Sequence, residues 1–547
     1  MAIPKSYPMK FTPSGLVDAY DSTGKFPGAC RTLKDLIFDR SNPEIMISRP
    51  GVTTAYNFSD FTTPGFVSVH AIIGTRIYGM VATARNTGMD EPFCYDFSTG
   101  AFVSISGVTG ANTPTSPATT GAWTPPTMAA IGVYVIITHP GFNGVGANFF
   151  GVIDLTNPAA PAWSSSNLAT NALTAVPQAV ANFNNRAYFA VGNALPYSDV
   201  LAPKTRTNAT QQLTIGDTTA ITALSGLPIQ TTSSGVIGAL IAFKPTQVWQ
   251  ITGDTTTSNL AQNFLSLTTG TNAPRSVAQS PQGLYFANVA GPYIIDPFGM
   301  VRPLTRSIQD QDPDVQAPWV AATVPSRIAA AYAGSIYRVC MPTVVAGQDV
   351  TNDYWFDEHR RRWTGPHSVP YDCASQNGND FILTGQANPG ILIASQSAQN
   401  SVTVYTDLGV AQAPILLSST FPKTGHMTQK QVVESTQELS ASGGNITYTV
   451  ESQDEQGQQL GSVIVAVVPA GALWTASPGV TVWGGGTKWS SSQNIPHVYS
   501  LPWAAPMVFK KMAINISASA SAQLQIGTHY SRYQDTGYMN VTGANTP

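Results

Sequence analysis

Tyr95-Asp96-Phe97-Ser98-Thr99-Gly100-Ala101-Phe102 reads as an apolar strand end, an Asp, a small-residue turn and a returning strand with a bulky apolar residue. Asp suits that corner because its carboxylate accepts from the backbone N–H two residues on, closing an Asx-turn. The same order recurs at Ile153-Asp154 with Asn157-Pro158 and Trp163, and at Ile295-Asp296 with Pro297-Phe298-Gly299 and Leu304. A fourth copy is Phe356-Asp357, with His359–Arg362 at the turn and Trp363 after it. Two degenerate units fit between Asp154 and Asp296. One centres on Arg186-Ala187-Tyr188-Phe189-Ala190-Val191, the other on Leu240–Phe243, a Lys244-Pro245-Thr246 turn and Val248–Ile251. Turn-then-aromatic openings return at Gly283-Leu284-Tyr285-Phe286, Gly334-Ser335-Ile336-Tyr337 and Asn379-Asp380-Phe381-Ile382. About six such units over residues 45–425 predict a β-propeller, because a single antiparallel blade cannot bury both of its faces alone.

Working outward, nearly every other segment is a short run rich in Val, Ile, Tyr, Phe and Thr, closed by Gly, Pro, Asn or Asp, so the chain is expected to be all-β. The clearest helical spacing is Arg31–Asp39, where Leu33, Leu36 and Ile37 fall at i, i+3, i+4. Residues 1–44 therefore read as an N-terminal arm with a short helix. Past residue 425 strict alternation takes over: Ile446, Tyr448 and Val450, then Met512, Ile514 and Ile516, then Leu524 and Ile526. Period two marks strands with one buried and one wet face, so residues 426–547 are expected to form a β-sandwich domain.

Composition narrows the function classes. The 547 residues carry 27 Lys+Arg against 30 Asp+Glu, a net charge of −3, and only 10% are charged. That is too balanced for a dedicated nucleic-acid reader, while 43% hydrophobic residues exclude global disorder. Met-Ala-Ile-Pro-Lys-Ser-Tyr-Pro at the start has no apolar h-region, so no secretory signal is expected. Met128–Thr138 and Val463–Trp474 are too short for a spanning helix. Cys30, Cys94, Cys340 and Cys373 form no C-x-x-C pair and are expected to be buried thiols.

No catalytic, cofactor-binding or metal-binding residue emerges. There is no G-x-S-x-G, P-loop or H-E-x-x-H, and Gly484-Gly485-Gly486-Thr487-Lys488 lacks the Gly-Lys-Ser/Thr ending. Asp310-Asp312-Asp314 has the acidic spacing of a Ca²⁺ loop, but Val315 replaces the turn Gly and Ala321 the bidentate Glu. Among His70, His139, His359, His367, His426, His497 and His529, only His359 and His367 lie close in sequence. His359-Arg360-Arg361-Arg362 is the most basic spot: either a phosphate or carboxylate contact beside Trp363, or a hairpin tip held in water. A glycan-binding or glycan-degrading propeller is the rival class, yet hydrolysis needs two converging carboxylates and no such pair stands out.

The succession Ile45–Gly51, Ile241-Ala242-Phe243-Lys244, Trp249–Asp254, Gly283–Phe286, Tyr293–Asp296, Arg302–Arg306, Tyr354–Asp357 and Arg362-Trp363-Thr364 resembles the tail nozzle proteins of short-tailed bacteriophages. These are also called tail tubular protein B or packaged-DNA stabilisation proteins. The resemblance covers roughly residues 30–385. It implies a non-enzymatic virion protein of the tail, made in the host cytoplasm and needing no cofactor. Its implied assembly is a homo-hexameric ring below the head-to-tail adaptor, with tail fibre or needle proteins attached. Such a ring retains the packaged genome and lets it pass on ejection, with transient, non-specific DNA contact. A near-neutral chain fits a conduit, because each neutralised phosphate adds affinity that would stall sliding. Low surface charge also lowers the desolvation cost where subunits meet, so extensive lateral contacts are expected.

Overall fold

The computed structural model describes residues 5–9, 30–42, 44–58, 67–83, 88–116, 126–232, 235–253, 260–304, 322–345, 348–385, 388–397, 404–421, 428–441, 445–454, 456–467, 497–505 and 507–538. Across these the secondary structure is strand, apart from two single 3₁₀ turns at Pro274–Ser276 and Pro325–Arg327. The all-β expectation holds.

Seven antiparallel units follow one another. The first is Val67–Ile73, Arg76–Thr83, Met89–Asp96 and Ala101–Phe102; the second is Thr127–Ile131, Tyr134–Thr138, Phe150–Asp154 and Ala162–Ser166. The third begins with the hairpin Ala179–Phe183 and Arg186–Ala190. It continues through the bridges Tyr188–Tyr197 and Val191–Ala194 to Ala194–Pro196, which pairs with Gln212–Thr214. The fourth runs from Ala223–Thr232 to Ala261–Ser266, the fifth from Ala278–Ser280 to Val301–Pro303, and the sixth from Ala329–Ala333 to Arg362–His367. The seventh takes three strands, Cys373–Asn377, Asp380–Gly385 and Asn388–Ser395, and completes itself with Val52–Asn57 from far upstream. Sequence periodicity counts about six units; the seventh escapes it because its fourth strand comes from elsewhere in the chain.

The Asp corners are where the sequence puts them, between the third and fourth strands of a unit. Asp96 Oδ1 accepts from Ser98 N at 2.9 Å, Asp154 Oδ1 from Thr156 N at 2.9 Å, and Asp296 Oδ1 from Phe298 N at 3.0 Å. Asp357 Oδ1 reaches one residue further, to Arg360 N at 3.0 Å.

Each unit is covered on both faces by its neighbours, which is why its strands are apolar runs and not alternations. Along Arg76–Thr83, Tyr78 and Met80 pack with Val135 and Ile153 of the second unit, while Ile77 and Val81 turn the other way. Analogous clusters join the second to the third unit through Ile136 and Phe189, the third to the fourth through Tyr188 and Leu240, and the fourth to the fifth through Ile241 and Phe286. Tyr285 packs with Tyr337 and Phe356 of the sixth unit, and Trp355 with Phe381 of the seventh. The last cluster sets Ile382 and Leu392 of the seventh unit against Ile77 and Phe93 of the first. The order of neighbours therefore returns to its start. First strands are rich in small residues, as in Ala329-Ala330-Ala331, where units approach one another most closely.

Two further sheets share one apolar cluster. Cys30–Lys34, Ile415–Ser418, Met512–Ala518, Ile446–Asp454 and Gln459–Val467 continue the sixth unit's sheet through the pairing of Leu33 with Gly365. Opposite them run Leu36–Phe38, Met46–Ser48, Leu524–Tyr538, Thr428–Ala441 and His497–Ser500; Lys5–Met9 and Val508–Phe509 pair alongside. Leu33, Leu416 and Ile514 from the first sheet meet Phe38, Leu439 and Leu524 from the second. Sheet membership thus crosses the expected boundaries at 44/45 and 425/426.

The short helix expected at Arg31–Asp39 is corrected to two strands, Cys30–Lys34 and Leu36–Phe38, split by Asp35 at φ 53°. Leu33 and Leu36 are buried in the cluster of the paired sheets, whereas Ile37 is buried against the sixth and seventh units. Partners on two sides outweigh a helical spacing confined to the nine residues Arg31–Asp39.

Candidate functional site

Two buried arginine–aspartate pairs, Arg338–Asp353 and Arg49–Asp35, also reach chain segments far away in sequence, at Ser395 and at Asp407, so the candidate site is built from those junctions. Arg338 and Asp353 are each fully buried on paired strands of the sixth unit. Arg338 Nε donates to both carboxylate oxygens of Asp353 at 3.0 Å, and Nη1 donates to Ser395 Oγ of the seventh unit at 2.7 Å. The guanidinium lies over the rings of Trp355, Tyr371 and Phe381 at 4.8, 5.0 and 5.7 Å. Trp355 Nε1 and Tyr371 Oη donate to Asp353 at 2.9 and 3.0 Å. The carboxylate thus accepts from three side chains, as a buried charge requires.

A second junction holds the chain entering the seven units. Arg49, with no exposed surface, donates from Nε to Asp35 Oδ1 at 2.8 Å and from Nη1 to Asp407 Oδ1 at 2.9 Å. Ser368 N and Oγ donate to Asp35 Oδ1 at 3.0 and 2.9 Å. Asp35 N donates to His367 Nδ1 at 3.0 Å, which makes that nitrogen an acceptor. Burial, then the positive charges of Arg49 and Arg338, hold His367 well below the usual histidine range, so the ring is neutral.

Smaller ties follow the same rule. Arg327 Nε donates to Asp372 Oδ1 at 2.8 Å, joining the segment before the sixth unit to the one before the seventh. Tyr285 and Tyr332 donate to the two oxygens of Glu358 at 2.8 and 2.5 Å across the fifth and sixth units. Burial first and Glu358 second push both phenols up, so they remain donors. Lys244 Nζ donates to Asp217 Oδ1 at 2.8 Å.

Asp90, His139 and Ser116 form a set resembling a hydrolase constellation, but in the wrong order. His139 Nε2 is 2.8 Å from Asp90 Oδ2, Ser116 Oγ donates to the same carboxylate, and Gly141 N donates to His139 Nδ1 at 2.9 Å. A serine nucleophile needs imidazole between hydroxyl and carboxylate. Here the carboxylate is in the middle and the free imidazole nitrogen is occupied by backbone, so the set ties the first unit to the second.

The basic run His359–Arg362 is divided by the fold. Arg360 turns inward: it donates from N and Nη1 to Asp357 at 3.0 and 3.2 Å, donates from Nη2 to Asp39 O, and lies 5.6 Å from the Phe38 ring centroid. Arg361 and His359 are exposed. Trp363 is buried and donates to Leu304 O at 3.3 Å, so it offers no ring for stacking. His367 is buried on the strand that follows, away from the exposed His359.

Neither of two clefts carries the carboxylate pair of a glycosidase. One, of about 260 Å³ beside Gly51, Asp380, Gln396 and Val404, has Asp380 as its one acid, accepting from Ser397 N at 2.8 Å. The other, of about 220 Å³, sets Asp454 near Lys510 and Lys511, and Asp454 accepts from Gln456 N and Gln458 N at 2.9 and 2.8 Å. Among the described residues no group of three His, Cys, Asp or Glu is placed to hold a metal ion, and no helix is long and apolar enough to cross a membrane. All four cysteines are buried, none in a disulfide. Asp310-Asp312-Asp314, His426 and Gly484–Lys488 lie outside the described residues.

Sequence reading passes over Arg49, Asp35, Arg338 and Asp353. Their signal is a charge inside an apolar run, as in Ile336-Tyr337-Arg338-Val339-Cys340, because such a charge must find a partner when buried.

No family model matches the chain, and no curated protein matches it. Among solved structures it is similar to the computationally designed Ika8 protein, with 11% identity over 63% of this chain and 99% of that one, at a TM-score of 0.34. It is also similar to an auxiliary nutrient binding protein from Bacteroides thetaiotaomicron, with 10% identity over 64% of this chain and 76% of that one, at a TM-score of 0.33.

Proposed function

We propose that this chain is a structural subunit of a short-tailed phage tail: a β-propeller of seven blades with an attached β-sandwich, six copies of which ring the DNA channel as its nozzle. The observation that carries the propeller reading is the cyclic order of apolar clusters, with Ile382 and Leu392 of the last unit returning to Ile77 and Phe93 of the first. The strand Val52–Asn57 then serves as the closing strand, holding the two ends of the ring of blades together. The nozzle reading is supported by the ordered motifs of residues 30–385 and by how the carboxylates are used. Asp35, Asp353 and Asp372 bind buried arginines, and Asp96, Asp154 and Asp296 close turns. Groups spent this way stiffen a wall; they are not poised for acid–base work.

The purified full chain is expected to assemble into rings with a mass near six times 57.8 kDa, with an axial passage wide enough for duplex DNA in electron micrographs. Antibodies against residues 430–538 should decorate the tail end of particles. A chain that stays monomeric at every concentration, or that depolymerises bacterial polysaccharide and loses this on one carboxylate substitution, would overturn the proposal.

A further inference from the structure

His367 ends the strand Arg362–His367 of the sixth unit and is buried. Its Nδ1 accepts from Asp35 N at 3.0 Å, so the ring's hydrogen sits on Nε2, which donates to Thr364 Oγ1 at 3.2 Å. The Trp355 ring meets the imidazole edge-on at 5.2 Å. Asp35 is the turn between Cys30–Lys34 and Leu36–Phe38, held at φ 53° in a backbone region that favours glycine. Its carboxylate accepts from Arg49 and Ser368. One residue pair, Leu33 with Gly365, stands in register between Cys30–Lys34 and the sixth unit. The corner at Asp35 therefore depends on the hydrogen bonds made around it.

A second proton on His367 must go to Nδ1, the nitrogen that already faces the Asp35 N–H. Among the described residues the charged groups around the ring offer that proton no carboxylate. Arg49, from the chain's entry, is engaged by Asp35 and Asp407. Arg338 is engaged by Asp353, whose carboxylate also accepts from Trp355 and Tyr371. Tyr371 and Cys340, packed with Trp355, are pushed up by burial and stay neutral. An imidazolium here would set N–H against N–H beside two guanidiniums. We propose that His367 is an acid-released latch: on protonation the imidazole leaves its seat, the Asp35 turn comes free, and the junction of Cys30–Phe38 with the sixth unit opens locally while the units stay folded. The fourth unit, Ala223–Ser266, contains no histidine, so acid has no such lever there. The latch belongs to a single chain and does not depend on ring assembly.

Hydrogen exchange of the full chain tests the latch, read peptide by peptide by mass spectrometry at pH 7 and pH 5 with labelling times scaled to intrinsic rates. In the opened junction His367 titrates near about 6.5, so opening should be about 25-fold more favourable at pH 5 than at pH 7. Residues 30–38 and 362–368 should lose protection by that factor, and residues 239–251 of the fourth unit should keep theirs within about twofold. His367→Gln keeps an acceptor for the Asp35 N–H and cannot take a proton, so the acid-induced loss over 30–38 should vanish in it. His529→Gln should leave that loss in place. Equal loss over 30–38 and 239–251 shows acid acting on the whole fold and overturns the latch. Unchanged protection over 30–38 overturns it too, as does a full acid response in His367→Gln. Should that variant fail to fold, the wild-type comparison of 30–38 with 239–251 decides alone.

Discussion

Val52 lies in register with Ser395, so the first strand after Arg49 completes a sheet whose other strands come more than 300 residues later. The same serine accepts from Arg338 of the sixth unit. The pairing that completes the seventh unit's sheet and the hydrogen bond that couples it to the sixth unit therefore meet at one residue.

The Arg338–Asp353 pair should be the most sensitive single point in the seven units. Removing one partner of a buried pair leaves the other charge uncompensated and costs about 3–5 kcal/mol. Arg338→Met and Asp353→Asn should each lower the thermal midpoint strongly, and the double variant should lose less than the sum of the two. Additive losses in a double-mutant cycle would show that the two charges are not coupled.

Gly51 precedes the strand Val52–Asn57, and a Cβ there would sit 2.3 Å from Thr406 O, a backbone atom that cannot rotate away. Gly51→Ala is expected to cost about 1–3 kcal/mol through overpacking. It should also speed proteolysis within residues 404–421 as Val52–Asn57 loosens from Asp407. Wild-type resistance to protease in the variant would argue against a tight approach.

Acid should weaken the fold from about pH 6.5 downward. Burial holds His529 down to about 3 and His367 well below its usual value. Both are neutral when folded and protonate in the unfolded chain below about pH 6.5, so the unfolded state binds more protons and stability falls as pH drops through that point. For His529 the loss at pH 5 is about 2 kcal/mol relative to pH 7. Urea midpoints followed by tryptophan fluorescence should decline from pH 7 to pH 5, with a shallower decline in His529→Gln. A flat profile over that range would refute the buried neutral imidazoles. Asp96, held down by the Ser98 hydroxyl and then Arg76, adds its own loss only at lower pH, as its carboxylate protonates.

The basic run should behave as two different things. Arg360→Ala removes bonds to Asp357 and Asp39 and is expected to cost about 1–2 kcal/mol; Arg361→Ala, at an exposed tip, should stay within about 0.5 kcal/mol of wild type. Neither should change retention on a heparin column by much, because Arg360 already spends its charge inside the fold. A large retention change in Arg360→Ala would reopen the phosphate reading.

Sequence alone determined what local chemistry controls. Strand content, the corners at Asp96, Asp154, Asp296 and Asp357, and buried thiols all follow from turn preference and apolar runs spanning a few residues. What only the tertiary structure decided involves segments that are distant in the chain. Val52–Asn57 becomes a seventh unit's last strand, Arg31–Asp39 becomes two strands and not a helix, and Asp35 finds Ser368. Each depends on which partner a segment meets, and pairing energies across hundreds of residues leave no periodicity in the segment itself. The charges within Ile336–Cys340 and beside Trp355 marked that partners must exist; folding alone chose Arg338 for Asp353.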